Sequence, residues 1–108
     1  MAIRKIEKED LSSFFNEFAK RYLKDEQPEY ADIQVLSEEY GVQRETDWLI
    51  LEGISYDPKK DILDIKVEKL DHMIMNPVEV YVDEEPGGLI TSMEIIQKDG
   101  TKNIVEIR

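Results

Sequence analysis

The chain has no cysteine and only one histidine in 108 residues. The first absence excludes a disulfide framework, a thiolate nucleophile and any cysteine-based zinc or iron–sulfur site. The second leaves a monomer without a two-histidine metal site or a relay of histidines. Positive charge is also scarce: 14 Lys and Arg stand against 25 Asp and Glu, for a net charge of −11. The excess is evenly spread, with 13 acidic to 7 basic residues in 1–54 and 12 to 7 in 55–108. Such a surface repels phosphate backbones and anionic headgroups, so neither nucleic acid nor membrane is an expected partner. Solubility is the plainest use of the charge. No apolar run approaches membrane-spanning length, and MAIRKIEKED lacks the apolar stretch of a secretion signal. A soluble, cytoplasmic protein is expected. Repeats and low-complexity segments are missing as well, so residues 1–108 read as a single domain, long enough for a core without staples.

What the chain does have is one dense apolar run, Trp48–Asp57 (WLILEGISYD), closed by turn chemistry at Asp57-Pro58. Read with period two, it offers Leu49, Leu51, Gly53 and Ser55 on one side, and Trp48, Ile50, Glu52, Ile54 and Tyr56 on the other. Apolar residues in both phases place this strand inside the fold. Leu49, Leu51 and Gly53 are expected to face the helix, with Gly53 allowing close approach or marking a bulge.

Upstream, Ile3 and Ile6 suggest a short extended segment. Leu11, Phe14, Phe15, Phe18, Ala19 and Tyr22 then recur at helical spacing, predicting an amphipathic helix over about 8–23. Acids in its first turn and Lys20, Arg21 and Lys24 in its last match the helix dipole. An aromatic stripe at this spacing serves as core far more often than as a ligand groove. Asp25–Glu29 reads as a linker, Ile33–Ser37 as a strand, Glu38–Gly41 as a turn and Val42–Glu45 as a return strand. Leu63, Ile65 and Val67 alternate with polar residues, as do Val78, Val80 and Val82. Asp71–Asn76 shows no clear pattern, and Pro77 is expected to kink the chain. Ile90–Gln97 and Asn103–Arg108 flank an Asp99-Gly100 hairpin turn. The expected fold is α+β, with one N-terminal amphipathic helix on a curved antiparallel sheet or small open barrel of five to seven strands between about residues 31 and 108.

Leu49-x-Leu51-Glu52-Gly53-Ile54-x-x-Asp57 resembles a motif of a family of small prokaryotic proteins known only as a domain of unknown function. Phe14-Phe15-x-x-Phe18-Ala19-x-Arg21, His72-x-Ile74-x-x-Pro77 and Asp99-Gly100-Thr101…Arg108 are similar to that family's pattern in order and spacing. The chain departs from it at Ile50, often Pro in the family, and at Leu11, where a Trp is common. The resemblance implies a compact α+β domain and assigns no reaction. The order of helix before strands is also similar to Sm-type barrels, at the level of the fold alone.

Candidate chemistry is sparse. His72, beside Asp71 and with Asp57, Asp61 and Asp64 not far off in sequence, fits either a general base or metal ligand, or a histidine that orders the Asn76-Pro77 kink. Asp57-x-x-x-Asp61-x-x-Asp64 lacks calcium-loop spacing. Asp83–Gly88 lacks any phosphate-loop pattern and reads as a hairpin turn. No catalytic residue beyond the His72 candidate, no cofactor and no metal are assigned. The leading functional expectation is a non-enzymatic protein-interaction or structural module, a homodimer being one form of it, with Trp48, Ile50 and Tyr56 as interface candidates. The alternative is a small enzyme or ligand-binding protein centred on His72. The electrostatic reading is checked by titrating generic duplex DNA or RNA at physiological salt. No binding is expected at micromolar protein, and affinity in that range would overturn it.

Overall fold

The computed structural model describes residues 2–22, 29–37, 41–44 and 48–108. The chain runs through β1 (Ala2–Ile6), a 3-10 turn (Lys8–Asp10), α1 (Leu11–Tyr22), β2 (Tyr30–Ser37) and β3 (Gly41–Arg44). It continues through β4 (Leu49–Asp57), β5 (Ile62–Val67), β6 (Leu70–Met75), β7 (Pro77–Glu84), β8 (Ile90–Gln97) and β9 (Lys102–Ile107). The class is α+β, as expected. The sheet, however, has nine strands rather than five to seven, and it does not close. The added strands are β1, too short and charged to show a pattern, and β6, from the ambiguous Asp71–Asn76 segment. Of the expected linker Asp25–Glu29 and turn Glu38–Gly41, residues 25–28 and 38–40 lie outside the described residues.

Every pairing is antiparallel, in the order β1-β7-β8-β9-β2-β4-β5-β6, with β3 also on β2. The central run splices the two halves. Its first residues, Leu49 and Ile50, pair with β2, and the rest of β4 pairs with β5. The helix packs against this same strand. It begins later than expected because Lys8–Asp10 winds as a tight 3-10 turn, closed by the Asp10 N–H on the Glu7 carbonyl at 2.9 Å. Leu11, Phe15 and Phe18 of the stripe are buried, and Phe14 meets the Phe15 ring edge to face.

The two apolar phases of β4 are one face joined by a bulge. Leu51 pairs with Val67 and Gly53 with Lys66, so Glu52 is the extra residue and the phase inverts there. Leu51, Ile54 and Tyr56 are consequently buried together, with Leu49 packed partly against them. This corrects the expected division of the strand. Gly53 turns away from the helix, and a Cβ there would meet only Lys66 at ordinary contact distance. The same device recurs twice. Between Pro77 and Glu79 it leaves Val78 unpaired and 46 % exposed, while Val80 and Val82 are buried. Between Asp83 and Glu84 it makes Thr91 the extra residue and brings Ile90 onto the face of Met93 and Ile95.

Phe18, 3 % exposed, closes the helix–sheet contact. Phe18→Ala is expected to cost about 3–5 kcal/mol through lost transfer energy and a residual cavity, measured by chemical denaturation. A loss under about 1 kcal/mol would contradict the packing.

Candidate functional site

His72 lies on the inner face of β6, paired with fully buried Ile65. Its Nε2 is 3.0 Å from Asn103 Oδ1 on β9, across the fold. Asn103 is 1 % exposed, and its Nδ2 donates to Gln97 Oε1 at 3.0 Å and to the Ile95 carbonyl at 3.4 Å. With Nδ2 so used, the Asn103 oxygen faces the ring, and Nε2 is the nitrogen that donates. The partner expected for His72 was the backbone at the Asn76-Pro77 kink; the structure gives it Asn103, which sequence reasoning did not single out. Asn103 stands one residue past the Asp99–Lys102 turn and strand start, in the inward phase of β9, and a buried amide in that phase was the available signal.

The carboxylates grouped with His72 in sequence do not gather around it. Asp57 Oδ1 caps its own turn, accepting from the Lys59 and Lys60 N–H groups at 2.9 and 3.4 Å. Asp61 Oδ1 accepts from Tyr56 Oη at 2.6 Å and pairs with Lys8 Nζ at 2.7 Å. Lys8 also donates to the Pro77 carbonyl, so it fastens the 3-10 turn to β4 and to the start of β7. Lys8 holds the Asp61 carboxyl below its ordinary range, and the Tyr56 hydroxyl bond adds to this. Burial, then the Asp61 contact, pushes the Tyr56 phenol up to about 12. Asp64 and Asp71 stand on the other face of the β5–β6 pair from His72. Asp64 Oδ1 is buried with no hydrogen-bond partner among the described residues. Burial first, and the Asp71 carboxyl second, raise Asp64 to about 6. Among the described residues no three His, Asp or Glu side chains come together to hold a metal ion.

Of the three interface candidates, Tyr56 is buried and tied to Asp61. Trp48 and Ile50 remain on the surface side. Trp48 takes a left-handed φ of 50° ahead of β4, and the Arg108 guanidinium lies 3.8 Å from its ring centre. Tyr30 pairs directly with Ile50 on one side and exchanges both backbone hydrogen bonds with Arg108 on the other, at 2.7 and 2.9 Å. Side chains opposite one another share a face, so Tyr30, Ile50 and Arg108 form a row across β4, β2 and β9, with Trp48 on Arg108. Tyr30 is 39 % exposed.

A cavity of ≈ 310 Å³ lies between α1 and the β7–β8 turn, lined by Arg4, Phe14, Glu17, Arg21 and Glu84 among others. Its charges balance. Arg4 pairs with Glu84 at 2.9 Å, and Arg21 donates to the Gly87 carbonyl at 3.2 Å. Gly88, at φ +88°, lets Arg21 lie where a Cβ would stand 3.2 Å away. The cavity therefore presents no field of one sign to a charged ligand.

Compared with known proteins, residues 2–108 match DUF5335, described as a family of unknown function. The chain belongs to this family. An uncharacterized protein of Aquifex aeolicus (strain VF5) is 38% identical over 109 residues, covering 100% of this chain and 94% of the relative. No solved structure matches. DUF5335 membership brings relatedness along nearly the whole chain and no assigned reaction, so function must be argued from the surfaces of the fold.

The raised Asp64 carboxyl carries a signed consequence. A group that titrates higher folded than unfolded favours the fold while protonated. That contribution is complete below its unfolded value of 3.8 and lost as pH rises through about 6. Asp64→Asn is therefore expected to stabilise the protein above pH 6, by about 1–2 kcal/mol once solvent screening of a half-buried group is allowed for. The gain should shrink between pH 6 and 4 in urea denaturation; a gain independent of pH would contradict it.

Proposed function

We propose that the protein is a non-enzymatic protein-binding module whose contact surface centres on Trp48 and Ile50, with Tyr30 and Arg108. The observation that carries this reading is the Arg108–Trp48 stack at 3.8 Å beside half-exposed Tyr30. Trp, Tyr and Arg are the residues that dominate binding energy when an interface desolvates them, and here they stand together on one sheet face. Arg108 is already held over the indole, so less rotamer freedom is lost on binding. The chain's charge of −11 selects the partner's chemistry: a protein with an apolar contact centre and an excess of Lys and Arg around it.

The test is affinity capture from the native host with the wild type and with Trp48→Ala/Ile50→Asp, after circular dichroism confirms that the variant is folded. A partner retained by the wild type, lost from the variant and released faster as salt rises is expected. The same proteins recovered on both, or a partner indifferent to salt, would overturn the proposal.

A further inference from the structure

A second surface, remote from the Trp48 row in sequence and on another strand, lies along β6. Among the described residues β5 is the only strand paired with β6, which therefore forms one edge of the sheet. Successive residues of an antiparallel strand direct their N–H and C=O groups to opposite sides. The Asn76 N–H donates toward β5, to the Asp61 carbonyl at 2.9 Å. The Met75 carbonyl points the other way, accepting from Gln97 Nε2 at 2.9 Å. Period two then aims the backbone groups of Asp71, Met73 and Met75 at the open edge. The Met73 and Met75 side chains stand outward, 57 % and 56 % exposed. They line a concavity of ≈ 590 Å³ with Asn76, Gln97, Lys98 and Asp99.

The opposite edge differs. β1 carries Arg4 and Lys5 side by side, the kind of charge that protects an edge from pairing. On β6 the one charged residue at the open edge is Asp71, and it sits at the far end of the strand from Lys98.

We infer that the occupant of this edge is a second copy of the chain, paired antiparallel through β6 about a two-fold axis at Met73. That register sets Met73 against Met73 of the second copy and Asp71 against Met75, whose carbonyl keeps its Gln97 donor and offers the second copy its other lone pair. Moving the axis to His72 leaves Met75 opposite Lys69, which holds a turn conformation at φ 67°. Moving it to Ile74 sets Asp71 opposite Pro77, which has no N–H to give. Charge chooses the same register. Lys98 lines the concavity beside Met75, so the axis at Met73 brings Asp71 of each copy to Lys98 of the other. Asp99, next to Lys98, is occupied within its own turn, accepting from the Thr101 N–H at 3.0 Å. An isologous contact needs such a patch, complementary to itself under a half turn. Met73 and Met75 supply its adaptable apolar centre.

Sedimentation equilibrium of the whole chain tests this. The wild type should have twice the 12.7 kDa chain mass, with tighter association at higher salt because each copy carries −11. Met73→Pro removes an N–H that β5 does not use, so the fold should survive while the dimer weakens about tenfold or more. Lys98→Glu should weaken the dimer, and adding Asp71→Lys should restore it, which also decides the matter if Met73→Pro fails to fold. Met73→Cys, the sole cysteine of that variant, should oxidise to a covalent dimer. Trp48→Ala/Ile50→Asp should leave the dimer intact, so the two surfaces succeed or fail separately. A single-chain mass at about 100 μM protein, or a dimer indifferent to the charge exchange, would overturn the inference.

Discussion

Among the described residues, nine strands and one short helix leave a single apolar face to bury, and nearly everything else follows from keeping that face continuous. A strictly alternating strand would spread the apolar residues of β4, β7 and β8 over both sides. Extra residues at Glu52, Val78 and Thr91 invert the phase within each strand and return Ile54, Val80 and Ile90 to the buried side. Bulges also bend and twist the strand that carries them. The irregularity of these three strands and the burial of the core thus arise from the same three positions.

The sheet is then tied across its span by polar contacts rather than closed by a ladder. Lys8 binds Asp61 and the Pro77 carbonyl, joining the chain's first turn to the β4–β5 hairpin and to β7. His72 reaches Asn103, joining β6 to β9. Each tie spans tens of residues in sequence, and the second gives the oxygen of buried Asn103 a partner. The one histidine and, of the acids near it in sequence, Asp61 are used this way. The residues that invite a catalytic reading in the sequence are held apart in the fold, Asp61 on Lys8 and Tyr56 and His72 on Asn103.

The sequence made the helix legible because Leu11, Phe15 and Phe18 repeat without a competing period, and β5 legible because Leu63, Ile65 and Val67 alternate without interruption. It misled at β4, where the residues are apolar enough but the bulge at Glu52 leaves no local mark besides Gly53. β6 was hidden for a related reason: Met73 and Met75 are apolar on the outer face, so inward His72 and Ile74 do not stand out by contrast. Of the candidate surface, Trp48 and Ile50 were visible as excess apolar residues. Tyr30 and Arg108 were not, since only the pairing of β2 with β4 and β9 brings distant positions into one row. Burial of Tyr56 depends on the phase change and was equally out of reach.

The bulges also set which changes of length the family's chain can absorb. Within a strand, facing is read like a reading frame of two. Losing Thr91 would leave Ile90 two places from Met93, on the same face by plain alternation, so the bulge itself can go without turning the strand. Losing or adding one residue elsewhere in β8 would turn the remainder over, though no residue type had changed. Connections such as the Pro86–Gly88 turn impose no such parity. Variation in length is therefore expected to collect in the connections and at the bulges, while the regular stretches of each strand are inherited at fixed length.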